Sequence, residues 1–177
     1  MDSDSSQPIE VTIEAQAWNT IVTDPRQLVT RAAETALGEL DAAERVRAEI
    51  GILLTDNIAV RALNKEYRGR DRPTNVLSFP SFGRDQPRPD HGPLLFGDVI
   101  LALETVKAEA DALADGFSGH VSHLVIHGIL HLFGHDHENN DEAQKMERAE
   151  RRLMAQLGFG DPYSDDDLQG SLTEEAV

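Results

Sequence analysis

The stretch 118–133, SGHVSHLVIHGILHLF, constrains this chain more than any other. Leu124, Val125, Ile126, Ile129, Leu130, Leu132 and Phe133 make it the most apolar helical pattern in the sequence. Such a helix is buried on most of its faces. Yet it carries His120, His123, His127 and His131, and His135 and His137 follow closely. A buried imidazole costs stability unless it is hydrogen-bonded or ligated. Whatever fold forms must therefore place a polar or metal-binding centre beside one central helix.

The spacing narrows the choice. His127 and His131 are four residues apart, so their rings share one helical face within reach of one ion. Gly134 is placed to end the helix in a left-handed turn, which lets His137 approach the same ion from the far side. The expected metal site is therefore His127, His131 and His137. Three neutral imidazoles leave a fourth position open, as in catalytic rather than closed structural zinc sites. His135 is the rival for the third ligand. A 123/127/131 triplet is disfavoured, because a straight helix extends about 12 Å between His123 and His131. A single histidine on an apolar face is usually a satisfied core residue, and His120 or His123 suits that description. Asp136 and nearby carboxylates are candidates for orienting the ligand imidazoles. The H-x3-H-x5-H spacing also occurs in metzincin proteases, which place Glu directly after the first His. Here that position is Gly128, so the general base of that mechanism is missing.

The rest of the chain sets the frame. Its 177 residues suit one domain, and 40% hydrophobic with 27% charged residues is an ordinary globular balance. The absence of cysteine removes disulfides, thiol nucleophiles and thiolate metal sites, leaving histidine and carboxylate to hold any metal. No apolar run is long enough to span a membrane, and the start, MDSDSSQP, lacks the basic-then-apolar order of a secretory signal. The expectation is a cytoplasmic protein. Residues 1–8 are expected to be disordered, 9–160 to form a single catalytic domain, and 161–177 to be an acidic flexible tail. Strand patterns fall at Ile9–Ile13, 49–55, 74–80 and 97–103. Helical patterns fall at 25–40, 57–67, 104–113 and 118–133, with a last helix from a cap at Asn139, Asn140 or Asp141 to Leu157. The order predicts an α+β fold: one domain, a small mixed sheet of about four strands covered by helices, and the histidine-bearing helix at the centre. It does not specify strand order.

Charge is unevenly spread. Sixteen basic and 32 acidic residues give a net −16, which by itself opposes nucleic-acid binding. Residues 61–88, however, hold seven bases against three acids, a local +4. Binding follows the local field, although a solvated loop and helix face also accounts for such a run.

Three stretches resemble the YbeY family of bacterial endoribonucleases, which act in ribosomal RNA maturation. They are Tyr67-Arg-Gly-Arg-Asp-Arg-Pro-Thr-Asn-Val-Leu-Ser-Phe-Pro80, Gly97-Asp-Val-Ile100 and His123-Leu-Val-Ile-His-Gly-Ile-Leu-His-Leu-Phe-Gly-His-Asp-His137. The flanking order agrees, so the resemblance spans roughly residues 9–163. It implies one Zn2+ held by His127, His131 and His137, and a functional arginine at Arg68. It also implies a zinc-dependent endoribonuclease specific for single-stranded RNA, acting in 16S rRNA 3′-end maturation and ribosome quality control. In that role Arg68 would clamp phosphate oxygens, and Lys65, Arg70 and Arg72 would guide the RNA backbone. The bland alternative for Arg68 is a salt bridge with Glu66 or Asp71. Asp98, Asn75 and Ser78 are more readily structural. This chain departs from the family pattern at His135, usually Tyr, and in the loop 81–93. The competing function is a ribosome-assembly factor whose metal is mainly structural. It would bind a small-subunit ribosomal protein or an assembly GTPase, and the overall acidity suits contact with basic ribosomal proteins.

Overall fold

The computed structural model describes residues 8–83 and 85–164. The segments expected to be disordered or acidic and flexible therefore lie outside the described residues, except at their inner ends. Among the described residues the chain runs β1 (Ile9–Ile13), α1 (Trp18–Ile21), α2 (Pro25–Leu37), α3 (Ala42–Arg45), β2 (Ala48–Thr55), α4 (Asn57–Arg68), β3 (Val76–Pro80), β4 (Leu94–Ala102), α5 (Leu103–Ala110), α6 (Gly116–Leu132) and α7 (Asn140–Gln156). The expected α+β architecture, a mixed four-stranded sheet covered by helices, is what forms. The short helices α1 and α3 were not expected. Four residues each are too few to show a period.

Helix starts follow local chemistry. The Asp24, Asp56 and Asn139 side chains accept from the backbone N–H of Gln27 (3.0 Å), Ala59 (2.9 Å) and Glu142 (2.9 Å), and so cap α2, α4 and α7. At the end of α6, Gly134 N–H donates to the His131 carbonyl (3.0 Å) and His135 N–H to the Leu130 carbonyl (3.0 Å). With φ at +103° for Gly134, this is a Schellman stop, and the chain turns back there as the sequence predicted.

The strand order is β1-β2-β4-β3. β1, β2 and β4 are parallel, and β3 is an antiparallel edge strand on β4. Alternation in β2 puts Ala48, Ile50, Ile52 and Leu54 in the main core. In β4 the inward set is Leu94, Phe96, Val99 and Leu101, which skips a beat. The cause is a bulge: Glu49 pairs with Leu95, but Ile50 pairs with Gly97. The strand therefore begins at Leu94, three residues before the expected start at Gly97. Helix α6 packs on this face of β3 and β4, flanked by α2, α5 and α7. The opposite face holds a smaller cluster of Val60, Leu77, Ile100 and Ala102 beneath α4.

Pro8 accepts from Ile50 N–H (2.8 Å) and so joins the sheet. At the other end Tyr163 is buried, and Asp161 accepts from Arg151 Nε (3.1 Å). Tyr163 thus packs on the domain.

Gly97 has φ at +131°, and a Cβ there would lie 2.1 Å from the Phe79 carbonyl oxygen. Gly97→Ala is expected to lose roughly 2–4 kcal/mol of stability from strain and overpacking. Urea unfolding checks this, and an unchanged midpoint would show that the bulge relaxes freely.

Candidate metal centre

Burial makes the demand that defines the site. Helix α6 buries His120, His123 and His127 almost completely. His120 Nε2 is satisfied by Glu109 Oε1 (2.8 Å), and His123 Nε2 donates to Glu150 Oε2 (2.6 Å). Both are core histidines with partners, the role expected for one or the other. His127 Nδ1 donates to the same Glu150 Oε2 (3.0 Å), and His131 Nδ1 donates to the His135 carbonyl (3.0 Å). A carbonyl can only accept, so the His131 tautomer is set with its lone pair on Nε2.

What remains is decisive. Among the described residues, the buried imidazole nitrogens with no hydrogen-bond partner are His127 Nε2, His131 Nε2 and His137 Nε2. One ligand atom from each residue lies within 4.8 Å of the others. Three partnerless imidazole nitrogens from residues this close together fit a divalent ion. The structure thus brings together the three histidines picked from the spacing. His135 does not join them. It contributes its carbonyl to His131, and its side chain lines a neighbouring cleft. Asp136 Oδ1 accepts from its neighbour's backbone, His137 N–H (2.7 Å).

Glu150 was missed in the sequence, although a signal exists. The buried face of α7 reads Met146, Ala149, Glu150, Leu153, Met154, and an acid on that apolar stripe needs a partner. Burial alone would raise its carboxyl, but the positive ends of the His127 and His123 N–H groups that face it outweigh that, and the carboxyl is held well below its usual range. Tyr163 completes the arrangement by donating its hydroxyl to Glu150 Oε1 (2.8 Å). Burial first, then Glu150, raises the Tyr163 hydroxyl far above its usual value, so it remains a donor.

Arg68 reaches the same region from the other side. It is the last residue of α4 rather than a loop residue, and Gly69 at φ +70° turns the chain after it. Its Nη2 donates to the Ser78 carbonyl on β3 (2.6 Å), and its guanidinium lies 5.3 Å from the Phe79 ring centre. The Nε has no hydrogen-bond partner among the described residues. Asp71, one of the two partners in the alternative reading of Arg68, pairs instead with Arg61 (2.8 Å). Burial, then the like charge of Arg70, lowers the Arg68 guanidinium from its usual value, but an arginine so placed stays charged. Arg68 and His131 line one cleft of about 290 Å³, together with Ser78, Phe82, His135 and Asp136. The loop 81–93 is tied over this end of α6 by Arg88, whose Nη2 donates to the Phe133 carbonyl (2.9 Å).

Asp98 lies elsewhere. Its carboxylate sits over Gly51, and it lines a separate groove with Glu10 and Glu49. Asn75 and Ser78 are structural donors, to Glu109 Oε1 (3.0 Å) and to the Gly128 carbonyl (3.0 Å). At Gly128 a Cβ would meet Val99 Cγ1 at 2.8 Å and Ser78 Oγ at 3.0 Å. The position that carries Glu in metzincins faces the sheet here and has no room for one.

Fold and site together define a single-domain α+β protein with a three-histidine site that could hold a metal ion, next to a cleft bearing an arginine. A family model described as Endoribonuclease YbeY matches residues 11–158. Proteins named Endoribonuclease YbeY from Rhodopseudomonas palustris (strain BisA53) and Paramagnetospirillum magneticum (strain AMB-1) are each 46% identical over 158 residues. These matches cover 89% of this chain and 91% and 96% of theirs. The solution structure of TM1509 from Thermotoga maritima shares the fold, with a TM-score of 0.51 and 23% identity over 85% of this chain and 91% of that one. The chain belongs to the YbeY endoribonuclease family.

The site also predicts acid sensitivity of the metal-free protein. Burial, then His127 and His137, push the His131 imidazole from 6.5 down to about 3. Between those values the unfolded chain takes up a proton that the folded one refuses, so stability falls as pH drops below 6.5. The slope approaches about 1.4 kcal/mol per pH unit for one such group. Urea unfolding of metal-stripped protein at about pH 7 and about pH 5 should show this loss, and His131→Asn should flatten it. An equal slope in the variant would assign the effect to another group.

Proposed function

We propose that the protein is a zinc-dependent endoribonuclease that cuts single-stranded RNA and works in the cytoplasm on ribosomal RNA, at the 3′ end of 16S rRNA and in ribosome quality control. The observation that carries this reading is the convergence of three partnerless Nε2 atoms beside a cleft lined by Arg68. His127, His131 and His137 would hold the ion. When bound, it supplies a Lewis acid for the phosphodiester group.

The chain's own residues do the remaining work. Arg68 is anchored by Nη2 on the edge strand β3, and its other donors are available to hold phosphate oxygens where negative charge builds up. Glu150 and the His135 carbonyl keep the Nδ1 protons of His127 and His131 in place, so each ring presents its lone pair. Phe82 gives the cleft an apolar wall. No helix among the described residues is long and apolar enough to cross a membrane, which suits this setting. The net charge of −16 suits docking to a basic small-subunit ribosomal protein or, through such an assembly, to an assembly GTPase.

Cleavage of a single-stranded RNA by zinc-loaded protein tests the reading. His127→Ala is expected to abolish both metal retention and cleavage. Arg68→Ala should retain the metal and lose about a hundredfold or more in kcat/KM. Normal cleavage by His127→Ala would place the activity in a contaminating nuclease. Full activity in Arg68→Ala would remove the arginine from the mechanism. Metal retention with no cleavage by wild-type protein would favour the assembly-factor reading.

A further inference from the structure

Glu150 is 0% exposed, on the face of α7 that packs on α6. A carboxylate at that depth is strongly destabilising unless both oxygens are engaged. Here both are. Oε2 accepts from His123 Nε2 (2.6 Å) and His127 Nδ1 (3.0 Å), and Oε1 accepts from Tyr163 Oη (2.8 Å). Only one of those three donors belongs to the converging histidine set. The other two therefore fix the carboxylate, and the carboxylate fixes His127.

Tyr163 comes from the last described stretch of the chain, outside any helix. Its own backbone N–H donates to Asp161 Oδ1 (2.8 Å), and the Arg151 guanidinium lies 5.3 Å from its ring centre. Gly160 N–H donates to Asp115 Oδ2 (3.1 Å), tying the segment back to the start of α6. The ring packs edge-on to His123 at 5.5 Å between centroids. Through Tyr163, residues 160–164 are thus joined to the far side of the histidine centre.

We propose that Glu150 is a positioning residue for the metal centre and that Tyr163 latches it, so that metal affinity and the docking of residues 161–164 are coupled. The proposal rests on the metal reading above and adds to it. A divalent ion on three neutral imidazoles brings two positive charges into a largely buried site, and Glu150 places one negative charge a single imidazole away. The same hydrogen bond holds the His127 ring in the orientation that aims Nε2 at His131 and His137. By linkage, whatever loosens the latch weakens metal binding, and metal binding tightens the latch by the same factor.

The test uses the full chain with zinc competed against a chromophoric chelator, and with Co2+ in place of zinc for its absorption bands. Glu150→Gln keeps the shape and removes the charge. It is expected to weaken zinc binding roughly 10- to 100-fold and to shift the Co2+ bands, which a purely structural carboxylate would leave in place. Tyr163→Phe removes one oxygen and should weaken zinc binding roughly three- to tenfold. In wild-type protein, zinc should slow backbone hydrogen exchange at 160–164, and in Tyr163→Phe that slowing should shrink or vanish. Wild-type affinity and an unshifted Co2+ spectrum in folded Glu150→Gln overturn the proposal. Should Glu150→Gln fail to fold, Tyr163→Phe decides, and unchanged affinity with unchanged exchange overturns it. Zinc binding that is lost in His137→Ala but keeps its wild-type affinity in Glu150→Gln overturns this proposal alone. A wild-type protein that holds no zinc overturns the metal reading and this proposal together.

Discussion

A buried helix cannot carry idle imidazoles, and that requirement organises this molecule. Helix α6 must be apolar to fill the space between the sheet and α2, yet four histidines lie along it. Each needs a partner that another element supplies. Glu109 on α5 answers His120, Glu150 on α7 answers His123 and His127, and the turn after α6 answers His131 with a carbonyl. Once those bonds are made, the partnerless nitrogens point to one place. The fold around α6 is in this sense a set of solutions to the same desolvation problem, and the candidate centre is the part left for an ion to solve.

The parts of this arrangement that are local in sequence were legible there, and the parts that join distant segments were not. The i,i+4 pair His127 and His131, the Gly134 stop and the return of His137 follow from helix geometry alone, which is why the spacing sufficed. Glu150 is 23 residues from His127 and belongs to a different helix. Its only local mark is an acid on an apolar stripe. Tyr163 looked like part of an acidic tail, because composition describes the average of a segment and not the one ring that packs. The bulge in β4 was hidden for a similar reason. Alternation can be read in one strand, but a slip in register exists only between two, and here it depends on the pairing of Glu49 and Ile50 with Leu95 and Gly97.

Charge shows the same limit more sharply. The basic run at 61–88 suggested a local positive field, yet Arg61 is spent on Asp71 (2.8 Å) and Arg88 on Glu44 (2.6 Å). Arg88 also serves as a strut, holding the loop 81–93 against the end of α6. Arg68 stands apart because its anchor is a backbone carbonyl, which fixes position without cancelling charge. Of this run, Arg68 is the base that lines the cleft beside His131. That suits recognition of a single phosphate at a reacting centre more than long-range capture of an acidic polymer by an acidic protein.

The packing of α6 also bears on which chemistry the centre can support. Gly128 directly follows His127, and its missing side chain is what lets α6 settle on Val99 and Ser78, with Ser78 Oγ donating to its carbonyl. A glutamate there would have to displace β3 and β4, the strands that position Ser78 and hence Arg68. The close approach of helix and sheet thus removes the carboxylate base of a zinc peptidase and, by the same contact, brings an arginine to the histidine centre. Peptide hydrolysis on this metal geometry relies on that base to activate water and serve the leaving amine. Phosphodiester cleavage depends more on stabilising charge at phosphorus, which a cation held by the three histidines and a fixed guanidinium would provide. On the proposed reading, one packing contact would tilt a shared metal geometry from the first reaction toward the second.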